Sequence, residues 1–234
     1  MSTLIVLAKA PAPGRVKTRL CPPFTPDEAA QLAAAALRDS LAVAAATRAD
    51  LRLLVLDGEP DPELRRACLE QGFVRRPQVP GTLDVRIASA FAEAARLDGG
   101  PALLIGMDTP QASTSVLDDA LAALGTGRRK DRPSDRRRYD AAYAPAEDGG
   151  FWALGLREPG HPRTAALLLG VPMSRSDTGA IQLARLTDAG LGVLHLPVLR
   201  DVDTADCAYA AAAACPETAF AQQLALIDAR TRSA

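Results

Sequence analysis

Two histidines, far apart at positions 161 and 195, and four cysteines with no Cys-x-x-Cys pair leave this 234-residue chain without zinc-site spacing or a dithiol redox motif. No Gly-x-Ser-x-Gly elbow is present, and neither histidine has a serine or cysteine partner in its sequence context, which removes the common hydrolase relays. No Gly-x-Gly-x-x-Gly follows an apolar run. Lys17-Thr18 resembles the end of a Walker A loop, but Val16 stands where that loop needs glycine. Aromatics are only 4% of residues and the net charge is −1, so neither stacking nor overall charge favours nucleic acid or an anionic membrane. Any anion must be held by a local cluster. The N-terminal apolar run is too short for a membrane span or a secretory leader, and a reduced, cytoplasmic protein is expected.

What is present is alternation. Short apolar runs at Leu4–Ala8, Leu51–Leu56, Ala102–Gly106 and Val193–Leu196 read as buried strands, with two further strands at Tyr139–Ala144 and Phe151–Leu156. Between the first two runs, Thr25, Pro26 and Glu28 form the capping signature of a helix that continues to about Thr47. Helices are also expected at Pro62–Gln71, Leu83–Leu97, Ser115–Leu124, Asp177–Ala189, Thr204–Ala214 and Pro216–Arg230. This order predicts one α/β domain over residues 1–234, a Rossmann-like three-layer αβα sandwich on a mainly parallel sheet with right-handed crossovers. A basic segment at about 126–138, with seven cations among the eleven residues Arg128–Arg138, reads either as a solvated surface loop or as a substrate-contacting flap. His195, inside an apolar run, reads as a core or strand-end residue.

In open α/β sheets ligands lie beyond the carboxyl ends of the strands, so the residues that follow each strand are the candidates. After the first strand come Lys9, Gly14, Arg15, Lys17 and Arg19, four cations within eleven residues of a Pro- and Gly-broken loop. Such a loop is either a basic turn or a cradle for a polyphosphate. After the third apolar run comes Asp108, and after the last one comes Asp203. Two carboxylates beside a triphosphate suit Mg²⁺ (or Mn²⁺), which keeps phosphate and water in the rest of its shell. Each aspartate has a structural alternative: Asp203 as the cap of the next helix, Asp108 as the organiser of a turn before Pro110. Asp148-Gly149-Gly150 is either a ligand-approach loop or a plain hairpin turn.

Four blocks carry a resemblance: Ala8–Leu20, Gly106-Met-Asp-Thr-Pro110, Ala144–Leu156 with its Glu-Asp-Gly-Gly-Phe-Trp core, and Asp201-Val-Asp-Thr204. In this order they resemble the bacterial family catalogued as domain of unknown function 2064, often labelled glycosyltransferase-like. That family is similar to the 2-phospholactate guanylyltransferases, within the glycosyltransferase-A/nucleotidyltransferase superfamily. The resemblance implies the nucleotide-diphospho-sugar transferase fold. It puts Ala8, Lys9, Gly14, Arg15, Lys17 and Arg19 around a nucleotide, with Gly81 and Arg86 in the segment that meets the base. Asp108 and Asp203 fall at the metal positions, and Asp148, Gly149 and Gly150 in an acceptor-side loop. The basic 126–138 segment departs from the family pattern.

Three functions follow as expectations. The first is Mg²⁺-dependent nucleotidyl transfer from a nucleoside triphosphate to a phosphorylated small-molecule acceptor, with Lys17, Arg15 and Asp108 catalytic and the loop cations stabilising the departing pyrophosphate. The second is glycosyl transfer from a nucleotide sugar, for which Met107-Asp108-Thr109 lacks the first carboxylate of the Asp-x-Asp motif common after that strand. The third is a non-catalytic nucleotide-binding module. No nucleic-acid or membrane partner is expected.

Overall fold

The computed structural model describes residues 1–125 and 139–232; the basic segment at 126–138 lies outside them. Strand β1 (Thr3–Lys9) runs into a single 3₁₀ turn (Thr18–Leu20) and then α1 (Pro26–Ala46). There follow β2 (Leu51–Asp57), α2 (Pro62–Glu70), β3 (Phe73–Pro77), α3 (Leu83–Leu97), β4 (Ala102–Ile105) and α4 (Thr114–Leu124). The second half holds β5 (Ala141–Pro145), β6 (Phe151–Leu156), α5 (Thr164–Leu168), α6 (Thr178–Asp188), β7 (Val193–His195), α7 (Ala205–Ala214) and α8 (Ala219–Arg232). None of the described helices is long and apolar enough to cross a membrane.

The strands form one sheet in the order β3-β2-β1-β4-β6-β5-β7. Pairs are parallel except at β6, which is antiparallel to both β4 and β5. Two consecutive antiparallel pairings leave β4 and β5 running the same way as β1. The carboxyl ends of β1, β4, β5 and β7 therefore share one edge of the sheet, the condition on which the reading of the loops depends.

Alternation along β1 assigns the faces. Leu4, Val6 and Ala8 pack with α1, α2 and α4, whereas Ile5 packs with α3, α5 and α6 on the other side. This gives the αβα sandwich, and α7 and α8 add an outer layer. Helix α1 is buried on both sides. Ala33 and Leu37 face the sheet, while Ala29, Leu32 and Ala36 meet Phe220 and Leu224 of α8. The alanines of α1 thus have a packing role beyond helix propensity, since small side chains let the helix sit between two layers.

Most boundaries fall within one or two residues of the expected ones, and the Thr25–Glu28 capping box is formed. Two elements were not anticipated. Helix α5 is a five-residue turn, too short for a periodic signal. Strand β3 reads Phe-Val-Arg-Arg-Pro, whose two arginines and closing proline suit a sheet edge but hide the strand pattern.

One of those arginines ties the edge down. The Glu93 carboxylate of α3 accepts from Arg76 Nε at 2.7 Å and from Arg96 Nε and Nη2 at 2.8 and 2.7 Å. Arg96 first, then Arg76, pull the Glu93 carboxyl down to about 2 from its ordinary 4.5. A depressed folded-state pKa gives stability that is present above 4.5 and lost as pH falls through about 2. Glu93→Gln is therefore expected to remove stability at pH 7 and to flatten the pH dependence between those two values. Denaturant midpoints across that window measure it, and parallel profiles for wild type and variant contradict it.

Candidate active site

The β1 loop is pinned by its apolar residues. Val16 is buried against the sheet-facing core and Leu20 against the outer cluster, so the intervening residues are held in one arrangement. The Walker-type glycine is absent because position 16 is an anchor. Gly14 takes φ +71° with open space around it, so its role is conformational. Lys17 also adopts a left-handed conformation, φ 49°. This turns its side chain inward, where only 8% remains exposed and Nζ lies 2.7 Å from Asp108 Oδ1 and 3.6 Å from Asp203 Oδ1. Lys17 Nζ also donates to the Val202 carbonyl. Arg19, largely exposed, pairs with Asp203 at 2.8 Å. Lys9 and Arg15 are exposed and form no ion pair among the described residues. The loop thus divides its cations: two are tied to carboxylates and two are free for an incoming anion.

The two aspartates expected at the metal positions do meet, on either side of Lys17. The Val202 amide donates to the Asp108 carbonyl at 2.9 Å, which joins the β4 and β7 ends directly. Asp203 is not the cap of α7; Thr204 is, accepting from the Cys207 amide at 3.4 Å. The sequence reading missed Asp201. Carboxylate oxygens of Asp148, Asp201 and Asp203 all lie within 4.8 Å of one another, a grouping that could hold a metal ion. The available signal was the i, i+2 spacing of Asp201 and Asp203 in an extended segment, which sends both side chains to one side. Val202, between them, is buried in the opposite direction. Burial, and then the charges of Asp148 and Asp203, push the Asp201 carboxyl up to about 6. Three hard oxygen donors in mutual repulsion are the donor chemistry of Mg²⁺ or Mn²⁺.

Asp148 reaches this cluster from the β5–β6 hairpin, where its Oδ1 also accepts from the Gly150 amide at 2.8 Å. The first glycine of the pair serves packing. Gly149 holds φ +89°, and a Cβ there would overlap the Ser176 carbonyl. Its own carbonyl accepts from the Gly179 amide at 2.8 Å. The loop packs on the start of α6, and that contact seats Asp148 at the cleft.

At the far side, Arg86 and Gly81 border the same cleft, and Arg86 Nε and Nη1 are engaged by the chain itself. Arg86 donates to Asp57 at 2.6 Å, to the Gln78 side-chain oxygen at 2.9 Å and to the Gly81 carbonyl at 3.0 Å. Gln78 in turn donates to the Ala8 carbonyl at 2.7 Å. His195 is exposed at the end of β7 and takes no part in the cleft.

Two adjoining cavities result. One, of about 520 Å³, is lined by Ala8, Lys9, Arg15, Lys17, Gly81 and Arg86. The other, of about 890 Å³, is lined by Asp148, Gly150, Phe151, Arg175, Arg200 and Asp201. Lys9, Arg19, Asp108 and Asp203 border both.

A family profile described as "Uncharacterized protein conserved in bacteria (DUF2064)" matches residues 24–175, nearly two thirds of the chain. The chain belongs to this family. The matched stretch includes the Asp108 and Asp148 loops, while the cationic loop and Asp201–Asp203 lie outside it. No curated protein matches the chain. Among solved structures, a protein from Desulfovibrio desulfuricans G20, provisionally named a nucleotide-diphospho-sugar transferase, is 25% identical. It superposes with a TM-score of 0.81 over 99% of this chain and 97% of its own. A cytidylyltransferase from Leptospira borgpetersenii serovar Hardjo-bovis is 10% identical, with a TM-score of 0.56 over 99% of this chain and 95% of its own. A CMP:2-keto-3-deoxy-manno-octonic acid synthetase solved with CTP is 12% identical, with a TM-score of 0.53 over 91% and 98%. These neighbours are transferases, and the family's fold is that of the glycosyltransferase-A/nucleotidyltransferase superfamily.

Proposed function

We propose that the protein is a metal-dependent nucleotidyltransferase that joins a nucleoside triphosphate to an anionic small-molecule acceptor and releases pyrophosphate. The observation that carries this reading is the division of the cleft. A compartment with two free cations, Lys9 and Arg15, meets an acceptor compartment at a shared wall that includes Asp108 and Asp203, the two carboxylates that flank Lys17. A triphosphate needs more cationic compensation than a diphosphate, and five cations border the first compartment, four of them from the β1 loop.

In this mechanism Lys9 and Arg15 neutralise the β- and γ-phosphates and stabilise the charge that develops on pyrophosphate as it leaves. Lys17, held between Asp108 and Asp203, faces the junction where the α-phosphorus meets the acceptor oxygen. Asp148, Asp201 and Asp203 would hold the divalent ion, which would supply positive charge to offset the charge that develops at the reacting centre. Arg175 and Arg200 line the acceptor side. Each is oriented by one acid, Arg175 by Asp177 at 2.8 Å and Arg200 by Glu147 at 2.6 Å, and each keeps guanidinium N–H groups for an acceptor's negative charge. An oxygen of the acceptor attacks the α-phosphorus, the bond to the bridging oxygen breaks, and pyrophosphate carries away the electron pair.

Glycosyl transfer keeps one specific observation in its favour. Asp201-Val202-Asp203 supplies an Asp-x-Asp pair that the β4 end lacks, and it reaches the same cleft. Incubation with each of the four ribonucleoside triphosphates, Mg²⁺ and a panel of phosphorylated acceptors separates the two. Pyrophosphate release that needs both Mg²⁺ and acceptor is expected. Release with no combination, together with hydrolysis of a nucleotide sugar, contradicts nucleotidyl transfer.

A further inference from the structure

Arg86 borders the triphosphate compartment, and the Nε and Nη1 N–H groups of its guanidinium are committed to the chain itself. Its main partner, Asp57, ends β2 and stands beside Lys9 in the parallel ladder between β1 and β2. The Ala10 amide donates to the Asp57 carbonyl at 2.8 Å, and a Cβ on Gly58 would lie 3.1 Å from that of Ala10. The β2 end and the root of the cationic loop are therefore in close contact. An acid in that position competes with a polyphosphate for the loop cations. What occupies it is Arg86, at 2.6 Å. The Arg86 hydrogen bond first, and the nearby charges of Lys9 and Arg15 after it, hold the Asp57 carboxyl below its ordinary range, so it is ionised and within the field of both.

We propose that Arg86 is a positioning residue that engages Asp57 and thereby leaves Lys9 and Arg15 free to bind a polyphosphate. It acts through Asp57 rather than on the ligand. Through Gln78 the same guanidinium also reaches the Ala8 carbonyl, which sets the height at which β1 delivers the loop. The inference rests on the triphosphate reading of the cleft.

Inorganic tripolyphosphate tests it, because this probe carries the charge of the ligand without a base. Arg86→Met is expected to weaken tripolyphosphate binding about tenfold, the scale of one charge-assisted contact, as Asp57 turns to the loop cations. Adding Asp57→Asn to that variant should bring affinity back to within about threefold of wild type, because the competing charge is gone. Asp57→Asn alone should bind at least as tightly as wild type. A direct phosphate contact by Arg86, or a purely structural role, would leave the double variant as weak as Arg86→Met, and that result overturns the inference. So does an unchanged affinity in Arg86→Met. Thermal melts check folding. If Arg86→Met does not fold, Asp57→Asn decides alone, and weaker binding by that variant overturns the role. Should the wild type bind neither tripolyphosphate nor any nucleoside triphosphate, the reading of the cleft fails first, and the role of Arg86 fails with it.

Discussion

Asparagine at position 203 is expected to lower triphosphate-dependent transfer by about three orders of magnitude, the scale for losing a metal ligand or a preorganised charge at a phosphoryl centre. Asp203 has two tasks in the cleft. It contributes to the Asp148–Asp201–Asp203 carboxylate group, and it holds Arg19 at 2.8 Å and faces Lys17 at 3.6 Å. Asparagine keeps the shape and removes the charge, so a loss in kcat with an unchanged melting temperature identifies a chemical rather than a structural role. Asp201→Asn should be comparably damaging and should weaken Mn²⁺ binding measured without nucleotide. Asp108→Asn should leave Mn²⁺ affinity closer to wild type, since its carboxylate engages Lys17. Retention of a large part of the activity in Asp203→Asn contradicts the assignment.

Gly149→Ala is expected to cost about 3 kcal/mol or more, combining a left-handed backbone with a backbone collision. A methyl group at 149 would overlap the Ser176 carbonyl, and no flexible side chain is there to yield. Gly179, on the other side of the same contact, is equally constrained: a Cβ there would overlap the Gly150 carbonyl and the Tyr143 hydroxyl. The two variants should therefore be destabilised alike in chemical denaturation and should lose activity together, as Asp148 leaves the acidic cluster. An alanine at 149 that folds with wild-type stability contradicts the tight seat of this hairpin on α6.

Much of the site was legible because the chain concentrates it. Four cations follow one strand, and single carboxylates follow others, all at strand ends on one sheet edge. What the sequence could not show was which groups consume one another. Arg86 borders the cleft, but its bonds to Asp57, Gln78 and Gly81 leave no mark in the sequence. The packing of Gly149 against Ser176 has no trace in the local sequence. Asp201 was passed over because a strand end was assigned one carboxylate, although the buried Val202 between two aspartates marks both as facing the cleft. Strand β3 escaped for a related reason: its arginines look like a surface turn until Glu93 binds Arg76.

The central claim is that the α-phosphorus, not a sugar, is what the acceptor attacks. Transfer from a nucleoside triphosphate radiolabelled at the α-phosphate, resolved by chromatography of the products, tests it most directly. The account predicts label in a new acceptor-linked product in step with pyrophosphate release, both abolished by Asp203→Asn. Label that stays in the unreacted triphosphate, while a sugar-labelled nucleotide sugar passes its sugar to the acceptor, contradicts it.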